Sequence, residues 1–171
     1  MINVNELILT GFVFITPVQA EQVKYDTPSV ICLAHNMYFE ARGQGSAGLL
    51  AVSSVVLNRV KDSRFPNTIC EVVKQGPTRE SWQKDGTFIP VRHKCQFSWY
   101  CDGKSDVPKD KKTYNRLLEI AKSLVYDKLP VIDITDGALF YHADYVNPDW
   151  AKTKTKTVEI QDHIFYKWDK K

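Results

Sequence analysis

The chain has 171 residues, of which 43% are hydrophobic and 25% are charged, and its formal net charge is +3 at pH 7. This length and composition suit one globular domain with its own core, and they exclude a low-complexity chain. The lysines are concentrated in "PKDKKTYNR" and "AKTKTKT", which are typical of solvated surfaces, so we predict no nucleic-acid partner.

The first twenty residues, "MINVNELILTGFVFITPVQA", predict a secretory signal peptide. An uncharged apolar run is followed by Pro17 and by small residues at Val18 and Ala20, and it is too short to span a bilayer core of about 30 Å. We expect cleavage after Ala20, export to the periplasm or the extracellular space, and no membrane span in the mature domain, residues 21–171. Because no Lys or Arg precedes the apolar run, an uncleaved anchor and an ordinary first helix stay as alternatives.

Two consecutive helices are predicted next. The segment "DTPSVICLAHNMYFEARG" has Pro28 where a first helical turn accepts proline and Gly43 where a helix stops. Its apolar residues recur at helical spacing and leave Glu40 at the edge of the buried face. The segment "SAGLLAVSSVVLNRV" predicts a second helix, capped by Ser46, whose wide apolar stripe indicates packing on more than one side.

The middle of the chain predicts less regular structure. The segment "CEVVKQG" fits a short helix or strand, and the polar stretch from Gly76 to Pro90 predicts an irregular loop of the kind that often carries function. The segment "CQFSWYC" predicts a short aromatic strand or extended segment between two cysteines.

The last part of the chain predicts one more helix and a small sheet. The segment "TYNRLLEIAKSLVYD" has helical periodicity, and "GALFYH" and "TVEIQDHIFYKW" are strand-like, the second with a turn at Gln161 and Asp162. The fold class predicted from this order is α+β, a helical body with a small antiparallel sheet.

The four cysteines predict disulfide bonds. An even number of cysteines in an exported chain favours two disulfides, and the sequence leaves all three pairings open among Cys32, Cys70, Cys95 and Cys101. No two cysteines have the short spacing of a structural zinc site, and no two histidines are four residues apart. We therefore predict no metal and no cofactor.

Glu40 is the first candidate for chemistry. A carboxyl group at the rim of an apolar face loses hydration when it ionises, and this raises its pKa toward values at which it can donate a proton at neutral pH. Arg42 does not automatically neutralise it, because residues two apart on a helix do not face each other. The alternative is a rim glutamate without a catalytic role.

Two aromatic segments are candidates for binding sugar. In "CQFSWYCDG", Gln96 and Ser98 alternate with Phe97 and Trp99, and a mixture of amides, hydroxyls and rings suits the polar edges and apolar faces of pyranoses. A packed strand explains the same alternation. The segment "FYHADYVNPDW" adds Tyr141 and further aromatic and hydrogen-bonding groups.

These segments together resemble the cell wall hydrolase family typified by the spore cortex-lytic enzymes (SleB-like). The resemblance runs from about Cys32 to Tyr166 and rests on segments that occur in the family's order: "YFEARGQG", "AGLLAVSSVVLNRV", "FPNTICEVV", "CQFSWYCDG", "GALFYHADYVNPDW" and "DHIFY". It implies a lysozyme-like or lytic-transglycosylase-like fold and assigns the catalytic glutamate of the family's EARG motif to Glu40. The chain departs from the family at Gln44, where the family usually has an acid.

The resemblance also implies the substrate and the reaction. We expect a monomeric enzyme that cleaves peptidoglycan glycan strands between N-acetylmuramic acid and N-acetylglucosamine by lytic transglycosylation. The expected substrate-binding residues are Gln96, Phe97, Ser98, Trp99, Tyr141 and His142, with Tyr141 and the Gln96–Ser98 segment opposite Glu40. Hydrolysis at the same site and a non-catalytic, exported glycan-binding module are the alternatives, and both a bacterial and a phage source fit.

Overall fold

The computed structural model describes residues 27–126 and 132–168, so the predicted signal peptide, residues 1–20, lies outside the described residues. Four α-helices form the body of the molecule: α1 is Thr27–Ala41, α2 is Gly45–Lys61, α3 is Ile69–Val73 and α4 is Lys111–Tyr126. Helix α1 packs against the other three. The predicted helices are therefore present, and "CEVVKQG" contributes the short helix α3.

The helical core forms where the apolar stripes of α1 and α2 meet. Leu33 and Met37 of α1 are completely buried, as are Val52 and Val56 of α2. Helix α2 also buries Val55 against the sheet, in a second cluster. The prediction that α2 packs on more than one side is confirmed, because the helix is covered by α1 on one side and by the sheet on another.

A three-stranded antiparallel sheet packs beside the helices in the order β3-β5-β4. Its strands are β3, Phe140–Ala143, β4, Thr155–Ile160, and β5, His163–Lys167. The two predicted strand segments are confirmed, and the turn between β4 and β5 lies at the predicted residues 161–162. The fold class predicted from the sequence, α+β, is confirmed.

The prediction of a strand for "CQFSWYC" is wrong. Residues Ser98–Cys101 form a 3₁₀ helix, η1, and a disulfide joins Cys95 to Cys101 with their Cα atoms 6.1 Å apart. Six residue steps of extended chain would separate those atoms by about 20 Å. The chain must therefore coil between the two cysteines, whatever the alternation of its side chains favours.

Two smaller predictions also fail. The stretch from Gly76 to Pro90 is not wholly irregular, since β1, Thr78–Glu80, pairs with β2, Phe88–Pro90, in a hairpin. Its turn contains an Asp-Gly pair, a common hairpin signal, in which Gly86 has a φ of 81°. Ser46 is not the cap of α2, because the helix already begins at Gly45, where the positive φ of 62° suits glycine.

The second disulfide joins Cys32 of α1 to Cys70 of α3, so all four cysteines are paired. Among the described residues, no group of three or more His, Cys, Asp or Glu side chains is arranged to hold a metal ion. None of the helices in the described ranges is both long and apolar enough to cross a bilayer.

Candidate active site

A cleft of about 1210 Å³ opens between the helical body and the sheet. The end of α1 and the segment from Gln96 to Trp99 form part of its wall, and strand β3 and the start of β5 form another part. Glu40 is the next-to-last residue of α1 and projects into this cleft. The helix that supplies much of the core therefore also fixes the position of this carboxyl group.

The Glu40 carboxyl group is partly buried and has one hydrogen-bond donor in the structure. The Tyr141 hydroxyl donates to Glu40 Oε2 at 2.8 Å. Burial raises the pKa of Glu40 above its ordinary value, and the hydrogen bond from Tyr141 opposes this rise to a smaller extent. Glu40 is therefore a carboxyl group that holds its proton to a higher pH than a solvated glutamate does.

Tyr141 packs among three aromatic rings, two of them on strand β5 and the third just before η1. Its ring centroid is 4.9 Å from that of His163, 5.5 Å from that of Phe165 and 6.4 Å from that of Phe97. Burial and the neighbouring Glu40 raise the pKa of the Tyr141 hydroxyl well above its ordinary value. Tyr141 therefore stays protonated and remains a hydrogen-bond donor to Glu40.

Arg59 of α2 is a buried cation close enough to Tyr141 to affect it electrostatically, and the sequence analysis missed it. Only 4% of its surface is exposed, and its Nε donates to the Leu139 carbonyl oxygen at 2.7 Å. Its guanidinium carbon lies 5.0–5.6 Å from the ring centroids of Phe65, Phe97 and Phe140. Burial lowers the pKa of Arg59 to about 10, so the side chain is still charged at neutral pH and exerts an electrostatic effect on Tyr141. The one signal in the sequence is an arginine within the apolar stripe of α2.

The segment that was predicted to bind sugar lies on the cleft, although it is not a strand. The Trp99 ring stacks on the Phe39 ring with centroids 4.8 Å apart, and Trp99 Nε1 donates to Asn36 Oδ1 at 3.2 Å. Gln96 and Ser98 also line the cleft. Phe97 is almost completely buried, so it supports the cleft wall from behind.

His142 lies at the cleft edge, and its ring nitrogens already have partners. Its Nδ1 donates to the Ala143 carbonyl oxygen at 2.8 Å, and its Nε2 accepts from the Tyr166 hydroxyl at 3.0 Å. Successive side chains of a strand point to opposite faces, which separates His142 from Tyr141 on β3. The structure thus brings Tyr141 to Glu40 but leaves the His142 ring stacked on Tyr166.

A second histidine does reach the cleft, next to Tyr141. His163 is the first residue of β5, and its Nδ1 is 2.9 Å from Gln44 Oε1. Both side chains line the cleft. No local pattern distinguishes His163 from the other histidines, because His163 and Gln44 are 119 residues apart.

Comparison with known proteins places this architecture in a family. The model of the Cell Wall Hydrolase family matches residues 43–166, so the chain belongs to the cell wall hydrolase family, as the sequence resemblance predicted. The matched region begins three residues after Glu40.

Curated relatives in this family include spore cortex-lytic enzymes. The one from Bacillus cereus is 30% identical over 144 residues, which cover 84% of this chain and 46% of the relative. The one from Oceanobacillus iheyensis is 28% identical over 145 residues, covering 84% and 43%. The chain therefore spans less than half the length of these relatives.

Two solved structures share the fold. The catalytic domain of the Bacillus cereus SleB protein has a TM-score of 0.55 and 26% identity, covering 84% of this chain and 92% of that chain. The catalytic domain of the germination-specific lytic transglycosylase SleB from Bacillus anthracis has a TM-score of 0.56 and 26% identity, covering 85% and 98%. The described fold is thus that of a catalytic domain in this family.

Proposed function

We propose that this domain cleaves peptidoglycan glycan strands between N-acetylmuramic acid and N-acetylglucosamine, with Glu40 as its single catalytic acid. The observation that carries the proposal is the partly buried Glu40 carboxyl group in an open cleft, with a raised pKa and one tyrosine donor. Membership of the cell wall hydrolase family and the names of the relatives support the choice of substrate.

Tyr141 gives the two oxygens of Glu40 different tasks. Its hydroxyl occupies Oε2, which leaves Oε1 to carry the proton. The protonated Glu40 gives this proton to the glycosidic oxygen, and the bond from that oxygen to C1 of N-acetylmuramic acid breaks. The neighbouring N-acetyl group stabilises the positive charge that develops at C1.

The same carboxyl group then completes the reaction as a base. The Glu40 carboxylate takes the proton of the C6 hydroxyl of N-acetylmuramic acid, and O6 bonds to C1. The product is a 1,6-anhydro ring, no water is consumed, and Glu40 regains its proton. A base and an acid in one residue suit this cycle, since the proton lost in the first step is recovered in the second.

The name of one solved relative, a germination-specific lytic transglycosylase, supports this route over two-carboxylate hydrolysis. Glycosidases that use two carboxyl groups hold them about 5–5.5 Å apart for retention or about 6.5–9.5 Å apart for inversion. Burial and the hydrogen bond from Tyr141 are the causes of the Glu40 pKa shift, and the cleft lining also includes Asp102, Asp106, Asp110 and Asp162. Attack by water at the same site is the alternative reaction.

The cleft wall supplies contacts for the sugar rings. The stacked Phe39 and Trp99 rings offer an apolar surface, and Gln96 and Ser98 offer hydrogen-bonding groups beside it. We infer that these side chains bind the glycan while Tyr141 orients the acid. We also infer that the protein acts as an exported monomer on peptidoglycan, with residues 1–20 as its signal peptide.

The test is mass spectrometry of the soluble products released from purified peptidoglycan. The wild-type chain is expected to release anhydro-muramic ends, and Glu40→Gln is expected to reduce the rate by about 10²–10⁴-fold, because an amide cannot donate the proton. The matched control is Glu119→Gln on the surface of α4, which is expected to cleave normally. Reducing ends would make the protein a hydrolase at this site. Intact glycan from all three proteins would favour a binding module.

A further inference from the structure

His163 is a buried titratable group in the cleft that the proposed reaction does not use. It is 6% exposed, and its ring lies edge-on to the Tyr141 ring with centroids 4.9 Å apart. Tyr141 in turn contacts Glu40. A group bonded to His163 from the cleft would therefore lie close to the reacting bond.

Gln44 determines which nitrogen of His163 carries the proton. Gln44 Oε1 is 2.9 Å from His163 Nδ1, and an amide oxygen can only accept a hydrogen bond. The proton is therefore on Nδ1, and the neutral ring presents a lone pair at Nε2. No partner for Nε2 occurs among the residues that the structure describes.

The charge state of His163 follows from the groups around it. Burial lowers the pKa of its imidazole below the ordinary value, and nearby His142 adds to this effect. The carboxylates of Asp162 and Asp144 act in the opposite direction but do not reverse it. The ring is consequently neutral at neutral pH, and its Nε2 is an acceptor.

Gly48 is the reason that Gln44 can lie where it does. Gly48 is a buried residue of the first turn of α2, and a Cβ atom at this position would lie 2.5 Å from Gln44 Cβ and 3.0 Å from Gln44 Oε1. Real Cβ atoms do not approach their neighbours so closely, so any larger residue would displace the Gln44 side chain. The contact between Gln44 and His163 is thus built into the packing of α2.

We propose that His163 is a further substrate-binding residue, whose Nε2 accepts a hydrogen bond from the N–H of an N-acetyl group on the glycan, and that Gln44 is the positioning residue that keeps Nε2 unprotonated. An unprotonated Nε2 can accept from the acetamido N–H and a protonated Nε2 cannot, because that N–H only donates, whereas a sugar hydroxyl can bind either form of the ring. The proposal rests on the proposed function, because it requires N-acetylated glycan in the cleft.

The first test is the tautomer of His163, read from long-range ¹H–¹⁵N NMR spectra of the histidine rings in the full chain. The expected result is a proton on Nδ1 and none on Nε2. Gly48→Ala is expected to shift the ring toward a mixture of tautomers, because it displaces Gln44. A proton on Nε2 in the wild-type chain would overturn the proposal without any ligand being present.

The second test is binding of peptide-free peptidoglycan glycan chains to proteins that carry Glu40→Gln, so that nothing is cleaved and Glu40 does not titrate. Adding Gln44→Glu places a carboxylate against Nδ1, which raises the pKa of His163 and protonates Nε2 at about pH 6. We expect about a tenfold loss of affinity at that pH, with recovery at about pH 9 where the ring is neutral again. Ser46→Glu, which adds the same charge at an exposed site of the same turn, is expected to bind normally.

Failure of this proposal and failure of the proposed function give different results. Unchanged affinity of the Gln44→Glu protein at about pH 6 would overturn the role of His163. The proposed function would still stand if the wild-type chain cleaves peptidoglycan and the Glu40→Gln protein does not. Absence of glycan binding by the Glu40→Gln protein together with intact glycan from the wild-type chain would overturn both. A loss of affinity in Gln44→Glu that does not recover at high pH would indicate a structural role for Gln44 and would also overturn the proposal.

Discussion

The two disulfides are expected to have different roles: Cys32–Cys70 mainly stabilises the fold, and Cys95–Cys101 mainly shapes the cleft wall. Cys32–Cys70 joins residues that are 38 positions apart, and Cys95–Cys101 joins residues that are 6 apart. In the chain-entropy description, a crosslink stabilises the fold by restricting the unfolded chain, and it does so more when it closes a longer loop. At 25 °C this gives about 3.9 kcal/mol for the first disulfide and about 2.2 kcal/mol for the second.

The perturbation is the replacement of each pair by alanine in separate variants. Both variants lose two sulfur atoms, so the difference of about 1.7 kcal/mol between them reflects the loops that are released. In thermal unfolding this difference corresponds to roughly 3–6 °C in Tm for a domain of this size. Urea unfolding of the two variants and of the wild type under identical non-reducing conditions measures it directly.

Activity is expected to rank the two variants in the opposite order. The Cys95–Cys101 loop contains Gln96, Ser98 and Trp99 of the cleft wall, so its release is expected to raise KM for soluble glycan chains while the protein stays folded. Loss of Cys32–Cys70 is expected to leave KM unchanged at temperatures where that variant is folded. If loss of Cys95–Cys101 destabilises the fold as much as loss of Cys32–Cys70 or more, the reasoning is refuted. An unchanged KM in the variant without Cys95–Cys101 would also refute it.

Three further predictions concern the acid and its helix. Tyr141→Phe removes a hydrogen bond that lowers the pKa of Glu40, so the alkaline limb of the pH–rate profile is expected to move to higher pH and kcat to fall, whereas Tyr100→Phe, outside the cleft, changes neither. Since burial raises the pKa of Glu40 above 4.5, the wild type loses stability as pH rises above about 4.5. Glu40→Gln is therefore expected to gain in urea midpoint relative to the wild type as pH rises from about 4 to neutral, and a constant difference would contradict this. Gly45→Ala places a side chain at a positive φ and is expected to destabilise the fold by about 1–2 kcal/mol, measured by chemical unfolding. The control is Gly43→Ala, because position 43 has open space and no positive φ.

Local patterns in the sequence were sufficient for the elements whose contacts are mostly local. The helical spacing of apolar residues predicted α1, α2 and α4, and it already put Glu40 at the rim of a buried face. Where a distant or covalent constraint decided the structure, the same reasoning failed. The alternation in "CQFSWYC" favours a strand, but the Cys95–Cys101 bond makes an extended chain impossible there.

The chemical surroundings of the site were harder to predict, because they come from contacts between distant parts of the chain. Tyr141 and Glu40 are 101 residues apart, so no local pattern places them together. The family resemblance predicted that they share one site, and the structure shows their contact. Arg59 and His163 were missed because a lone arginine or histidine has no periodic signal. Their roles depend on burial, which only the packed fold defines.

The opposing effects on Glu40 fit a residue that must act twice. Burial alone would make the carboxyl group a good holder of its proton but a poor donor, since the carboxylate left behind would be unsolvated. The Tyr141 hydroxyl provides that carboxylate with one strong hydrogen bond inside the protein, and its own raised pKa prevents it from losing the donor proton. In the proposed reaction this lets Glu40 release a proton to the glycosidic oxygen and still be basic enough to remove one from the C6 hydroxyl.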